Sequence, residues 1–221
     1  GADGVVEVLS ADGAAAEIVI WNPDGSVAEF SGNGSRIAAA WLSRRTGAAQ
    51  VSIGSGGRSY PAAIRDDGTV AMGIGEVEVG EIETIELGDE RVELTAVSVG
   101  NPHAVVRAPA ERAELLRLGP QLETHSRFPE RTNVQLVRVD GPNELTVLVW
   151  ERGAGETSAS GSSAVAAAAA AVANGWCESP VRVRMPGGEL RVELDEENLI
   201  TLVGPAAEIC EGELLDASSS L

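Results

Sequence analysis

The chain has 221 residues, 26 of them Gly, only two Cys, and a formal net charge of −18. That length suits one large domain or two small ones, and the acidic field repels phosphate backbones, so nucleic acid is not an expected partner. All 16 basic side chains are Arg, and without a Lys the chain houses neither a pyridoxal-phosphate aldimine nor a Walker A loop.

Short β-branched or alternating runs predict strands over residues 4–9, 16–21, 51–53, 70–75 and 83–87. Residues 92–99 and 104–107 flank the turn Gly100-Asn101-Pro102, and further strands are predicted over 133–139, 144–151, 181–185, 189–194 and 199–203. Helix formers interrupt this rhythm twice. Residues 33–45 carry Ile37, Ala38, Trp41 and Leu42 at helical spacing and stop before Gly47, and residues 162–174 are nearly all alanine before Gly175. A weaker helix is predicted over 110–118.

The two strong helices share a lead-in. Ser31-Gly32-Asn33-Gly34-Ser35 sets onto Ser160-Gly161-Ser162-Ser163-Ala164, a weak internal repeat with one copy in each half. The expected fold is α+β, with two pseudo-symmetric lobes, each a curved, mostly antiparallel sheet or barrel around a central helix. The division is expected near residue 98, giving lobes over 1–98 and 99–221, with the final strand crossing back to the first. The all-small second helix is expected to be buried, because it can be approached on every face.

Cys177 and Cys210 lack CxxC spacing and, with only His103 and His125, form no zinc pattern, so no metal is expected and a reducing cytoplasm is. No basic region precedes an apolar core, so no signal peptide is expected, and the apolar run over 164–173 is too short to span a bilayer. The chain opens at Gly1 inside what reads as a strand, so residues upstream are expected.

A Ser-Gly pair at a helix start offers unpaired N–H groups and the positive dipole end, either for simple N-capping or for a carboxylate. Two matched copies in duplicated halves favour a cleft that grips an α-carboxylate from both sides. Polar residues at strand ends accompany them: Asn22, Asn101, His103, Asn133, Glu151 and Arg152. Taken alone, each asparagine reads first as a turn residue and His103 as a structural one, and Glu151-Arg152 reads equally as a solvated ion pair.

Together the blocks resemble the diaminopimelate epimerase family. Residues 22–36 resemble its N-x-D-G-S-x-A-E-x-C-G-N-G-x-R, with Ser31 in the Cys position. Residues 99–103 are similar to its V-G-N-P-H, and residues 128–134 to its F-P-x-x-T-N-V. Residues 151–162 resemble its E-R-G-x-G-E-T-x-A-C-G-T/S, with Ser160 in the second Cys position. The family's opening, with an early Asn that touches substrate, has no counterpart here.

The resemblance implies a cofactor-free 1,1-proton transfer interconverting LL- and meso-diaminopimelate, one thiolate removing the α-proton while the opposite thiol supplies another. It implies Asn22, Asn101, Asn133, Glu151 and Arg152 as substrate ligands, with backbone groups of Gly32, Asn33, Gly161 and Ser162 on the bound amino acid. His103 and Glu151 would tune the acid/base pair at Ser31 and Ser160. The implied partner is a small amino acid, not a membrane, and a homodimer is common in the family.

A thiol titrates near pH 8.5, whereas an unassisted serine hydroxyl is a far weaker acid, so a weak or inactive form is expected. Both replacements are isosteric and confined to these two positions, as a deliberate inactivation would leave them. A natural relative gives the same residues: a dehydratase, a racemase of another amino acid, or a non-catalytic amino-acid binder.

Overall fold

A computed structural model describes residues 4–22, 24–28, 30–197 and 199–213. Its elements begin with β1 (Val5–Asp12), β2 (Ala15–Trp21), α1 (Gly32–Thr46), β3 (Gln50–Ser55), β4 (Arg58–Ile64) and β5 (Thr69–Gly75). There follow β6 (Glu78–Leu87), β7 (Glu90–Ser98), β8 (Pro102–Arg107), α2 (Arg112–Glu123), β9 (Asn133–Gly141) and β10 (Glu144–Glu151). Next come β11 (Gly155–Thr157), α3 (Gly161–Ala173), β12 (Val181–Met185), β13 (Gly188–Leu194) and β14 (Ile200–Pro205).

The strands form one hydrogen-bonded path, β1-β2-β3-β4-β5-β14-β13-β12-β10-β9-β8-β7-β6, with β11 beside β10. Its connectivity carries the repeat. An antiparallel pair, β1 and β2, leads into α1 and returns as β3 parallel to β2. Likewise β9 and β10 pair antiparallel, the chain passes through α3, and β12 returns parallel to β10. Each parallel return needs a crossover, and in both halves the helix supplies it. Hairpins follow in both copies, β3 with β4 and β12 with β13, and β5 meets β14 in antiparallel register.

The last of these pairings joins β14, late in the chain, to β5 of the first half. The expected division at residue 98 falls between β7 and β8, yet those strands pair from Thr95↔Val105 to Ser98↔Pro102. Hydrogen bonding therefore places β6 and β7 with the second half of the path.

Both repeat helices lie in the main core. Ala38, Ala39 and Leu42 of α1 are buried, and Ala164 to Ala171 of α3 are buried on every side. Side chains that are all alanine but for Val165 let strands approach α3 closely all round, and each buried CH₂ contributes roughly 0.8 kcal/mol. A second apolar cluster sits under α2, around Leu115, Leu118, Leu122, Phe128 and Leu136. None of the described helices is long and apolar enough to cross a membrane.

Three elements depart from the pattern reading. β4 was hidden by its Pro61, a residue that weakens a strand signal; the ring lies against Gly73, where a Cβ would come within 3.0 Å of Pro61 Cγ. The helix expected over 110–118 runs on through Gly119 and Pro120 to Glu123. Gly119 there serves packing: a Cβ would lie 2.7 Å from Trp150 Cγ, so only glycine lets α2 approach that indole. The three-residue β11 is too short to register as a period.

Candidate active site

The repeated Ser-Gly segments become matched helix starts. Ser31 has extended backbone, φ −138° and ψ 109°, and its Oγ accepts from Gly34 N–H at 3.1 Å. Ser160 repeats this with φ −145° and ψ 125°, its Oγ accepting from Ser163 N–H at 3.4 Å. Each serine thus caps its helix, and its hydroxyl oxygen sits at the positive end of a dipole. The N–H groups of Gly32 and Asn33, and of Gly161 and Ser162, precede the first intrahelical hydrogen bond and have no intrahelical acceptor. Ser162 Oγ lies 3.5 Å from Ser160 Oγ, and both serines are buried.

The two starts meet. A Cβ placed on Gly32 would be 3.1 Å from Gly161 Cα, and one on Gly161 would be 2.9 Å from Gly32 Cα. Spacing along the chain is silent on this convergence; the parallel returns of both crossovers produce it.

A cleft of about 630 Å³ is lined by Asn22, Phe30, Asn101, Asn133, Glu151 and Arg152, among others, while Ser31 and Ser160 are not among its lining residues. Five of the sequence-chosen ligands therefore share one cavity, and Phe30 connects it to Ser31 by one peptide bond. Asn22 sits on a tight turn, its Nδ2 donating to Ser26 Oγ at 2.9 Å and its carbonyl accepting from Gly25 N–H at 3.0 Å. Hydrogen bonds from the Ser26 hydroxyl, then its N–H, hold the Asp24 carboxyl below the usual aspartate range. Asn133 is spent on the scaffold: Nδ2 donates to the Pro102 carbonyl at 3.0 Å and Oδ1 accepts from Arg152 N–H at 3.0 Å. It ties three cleft segments together.

His103 stands behind the cleft, fully buried, with Nε2 2.9 Å from Asn101 Oδ1 and Nδ1 3.0 Å from Gln135 Nε2. Desolvation, opposed by the Gln135 hydrogen bond and assisted by the Arg152 charge, pushes its pKa down to about 3, so the imidazole is neutral. Both ring nitrogens are occupied, so His103 reaches Ser160 only through Gln135 and Ser163.

The sequence of residues 95–209 matches the family model for diaminopimelate epimerase. A diaminopimelate epimerase of Desulfitobacterium hafniense is 38% identical over 240 aligned positions, spanning 100% of this chain and 85% of the relative. Another, from Stutzerimonas stutzeri, is 38% identical over 88% of this chain and 76% of its own length. The chain belongs to the diaminopimelate epimerase family. Solved structures share the fold at lower identity. A phenazine biosynthesis protein of Bacillus anthracis superposes with a TM-score of 0.72 at 14% identity, covering 97% of this chain and 85% of its own. A hydroxyproline epimerase of Agrobacterium vitis gives 0.67 at 17%, covering 91% and 71%.

Within this diaminopimelate epimerase family chain, three residues escaped the sequence reading. Gln135 is fully buried, its Nε2 3.0 Å from both His103 Nδ1 and Ser163 Oγ. Glu123 is buried and takes Trp150 Nε1–H at 2.7 Å, Gly153 N–H at 2.7 Å and the Arg131 guanidinium, so it fixes the turn after Glu151. Arg36 is buried in α1, where Nη1 donates to the Gly32 carbonyl at 2.9 Å and Nη2 to Asn33 Oδ1 at 2.8 Å. Burial alone lowers its pKa to about 10. A polar residue inside an apolar run, as in Val134-Gln135-Leu136, was the available signal for Gln135. Glu123 lies beyond the helix expected over 110–118, and Arg36 entered only as the last residue of the first motif block, with no role assigned.

Proposed function

We propose that the chain holds diaminopimelate in the cleft and is a Cys-to-Ser form of a two-base epimerase, weak or inactive as written. The observation that carries the reading is the meeting of two serine-capped helix starts at Gly32 and Gly161; the cleft that gathers Asn22, Asn101, Asn133, Glu151 and Arg152 supports it. One amino-acid end of the ligand lies between the helix starts, its carboxylate on the unpaired N–H groups of Gly32, Asn33, Gly161 and Ser162. Arg152 and the asparagines take the remaining polar groups.

In the two-base reaction a group at 31 or 160 breaks the α-C–H bond and keeps that proton. The electron pair stays on the α-carbon, and the opposite group delivers its own proton there, inverting the centre without any net oxidation. The carboxylate's N–H partners stabilise the charge that develops during the transfer. A thiolate forms near neutral pH under a helix dipole; a serine hydroxyl does not, even with one N–H donated to its oxygen. Glu151 and the His103 relay support the pair at 31 and 160. A cytoplasmic homodimer belongs to the same reading; the unpaired, buried Cys177 is compatible with reducing surroundings, and sizing chromatography reads the subunit number.

The deciding experiment is α-hydrogen exchange of LL-diaminopimelate in heavy water, followed by NMR. The chain as written should show ligand-induced shifts without exchange, and the S31C/S160C double variant should incorporate deuterium and form the meso isomer. A folded double variant that neither exchanges nor isomerises the compound would refute the reading.

A further inference from the structure

We propose that Gln135 is a positioning residue that sets the polarity of Asn101 toward the ligand, through the tautomer of the buried His103. The chain of contacts is continuous. Asn101 lines the cleft, its Oδ1 lies 2.9 Å from His103 Nε2, and His103 Nδ1 lies 3.0 Å from Gln135 Nε2. The same Gln135 nitrogen is 3.0 Å from Ser163 Oγ, and Ser163 N–H donates to the Ser160 Oγ that caps α3.

Donor counting selects one direction for this chain. A neutral imidazole carries one donor and one acceptor nitrogen, and an amide carries two donors on nitrogen and an acceptor oxygen. With both Gln135 N–H bonds used, one to His103 and one to Ser163, only Gln135 Oε1 lacks a partner; that oxygen is buried and unpartnered. Turning the amide over would put Oε1 between the two partners and strand both N–H groups in the core instead. Orphaned buried donors are the rarer and costlier defect. Gln135 therefore donates to Nδ1, the ring proton sits on Nε2, and Nε2–H donates to Asn101 Oδ1. Asn101 is left with its NH₂ for the cleft, so it serves as a donor for a ligand oxygen. In the reverse polarity it would present an oxygen and repel a carboxylate. Neutrality of His103 is needed for this either/or behaviour, and its pKa near 3 secures it across physiological pH.

The ligand arm of this inference rests on the proposed function, while the tautomer arm stands without it. Nitrogen NMR of the unliganded protein should show His103 protonated at Nε2, with a through-hydrogen-bond coupling from Gln135 Nε2 to Nδ1. Protonation at Nδ1 instead would overturn the proposal. The Gln135→Met variant should populate both tautomers and bind diaminopimelate about tenfold more weakly, the cost of a lost charge-assisted hydrogen bond. A folded Q135M protein with the single Nε2–H tautomer and undiminished affinity would also overturn it. If Q135M does not fold, the wild-type tautomer and coupling decide alone. If diaminopimelate does not bind the wild-type chain, the proposed function fails and the tautomer readout still judges the role of Gln135.

Discussion

Gly32 and Gly161 touch backbone to backbone at the starts of α1 and α3, where a Cβ on either would stand 3.1 Å or 2.9 Å from the other's Cα. Leu202 of β14, the strand that crosses between the halves, closes over both, its Cδ2 2.8 Å from the Cβ position on Gly32 and 3.2 Å from that on Gly161. Glycine here is a matter of space rather than of backbone freedom, since neither residue has a positive φ. In the proposed reading, the same closeness lets one carboxylate meet both helix starts.

Substituting Gly32→Ala or Gly161→Ala should therefore destabilise the protein by about 1–3 kcal/mol, the usual cost of overpacking. Urea denaturation measures the loss, and ligand-induced shifts at Asn33 and Ser162 should vanish with it. Alanine tolerated at both positions without cost would mean the helix starts are further apart than described.

Glu123→Gln exchanges an acceptor-only side chain for one that places an NH₂ toward Gly153 N–H, Trp150 Nε1–H or Arg131. At least one of those donors then faces a donor, which costs about 1–3 kcal/mol. Thermal unfolding should register that loss, and the Trp150 indole N–H resonance should move. Affinity for diaminopimelate should fall in parallel, because the turn bearing Glu151 and Arg152 loses its anchor.

The pH dependence follows from His103, whose pKa falls from an ordinary 6.5 to about 3 on folding. Above pH 6.5 both states hold the ring neutral and it contributes nothing to the slope. Between about 6.5 and 3 the unfolded chain binds a proton that the folded chain does not, so stability declines as pH falls. A full proton difference amounts to about 1.4 kcal/mol per pH unit. Urea titrations at pH 7 and pH 5 should differ by about 2 kcal/mol from this source, and His103→Asn should flatten that difference.

Asn133→Ala removes the bridge between the Pro102 carbonyl and Arg152 N–H. Two hydrogen bonds lost from a buried side chain predict about 1–3 kcal/mol of destabilisation in urea. Calorimetric titration with diaminopimelate should give roughly tenfold weaker binding as Arg152 loosens. Asn133→Asp keeps the oxygen for Arg152 N–H and should retain more of the affinity than alanine does.

Much of the fold was legible because its signals are local. Alternation announced most strands, and the caps and C-terminal glycines bracketed α1 and α3 to within a residue or two. β4 and the last turn of α2 were not legible, since Pro61 and Gly119-Pro120 break local rules that Gly73 and Trp150 make tolerable from elsewhere in the chain. At the site, the asparagines, Glu151 and Arg152 stood out at strand ends and now share one cleft. Gln135 and Glu123 did not, because burial and partner number are properties of contacts distant in sequence.

The sequence by itself determined the family, the absence of lysine chemistry and the serines at 31 and 160, since residue identity and spacing suffice for these. Only the tertiary structure decided that the two helix starts abut, that β6 and β7 join the second half, and that His103 is neutral and reaches Ser160 through Gln135. The reason is that a pKa, a hydrogen-bond polarity or a close approach depends on which distant atoms exclude water from a group, and hydrophobic periodicity carries no record of those pairings.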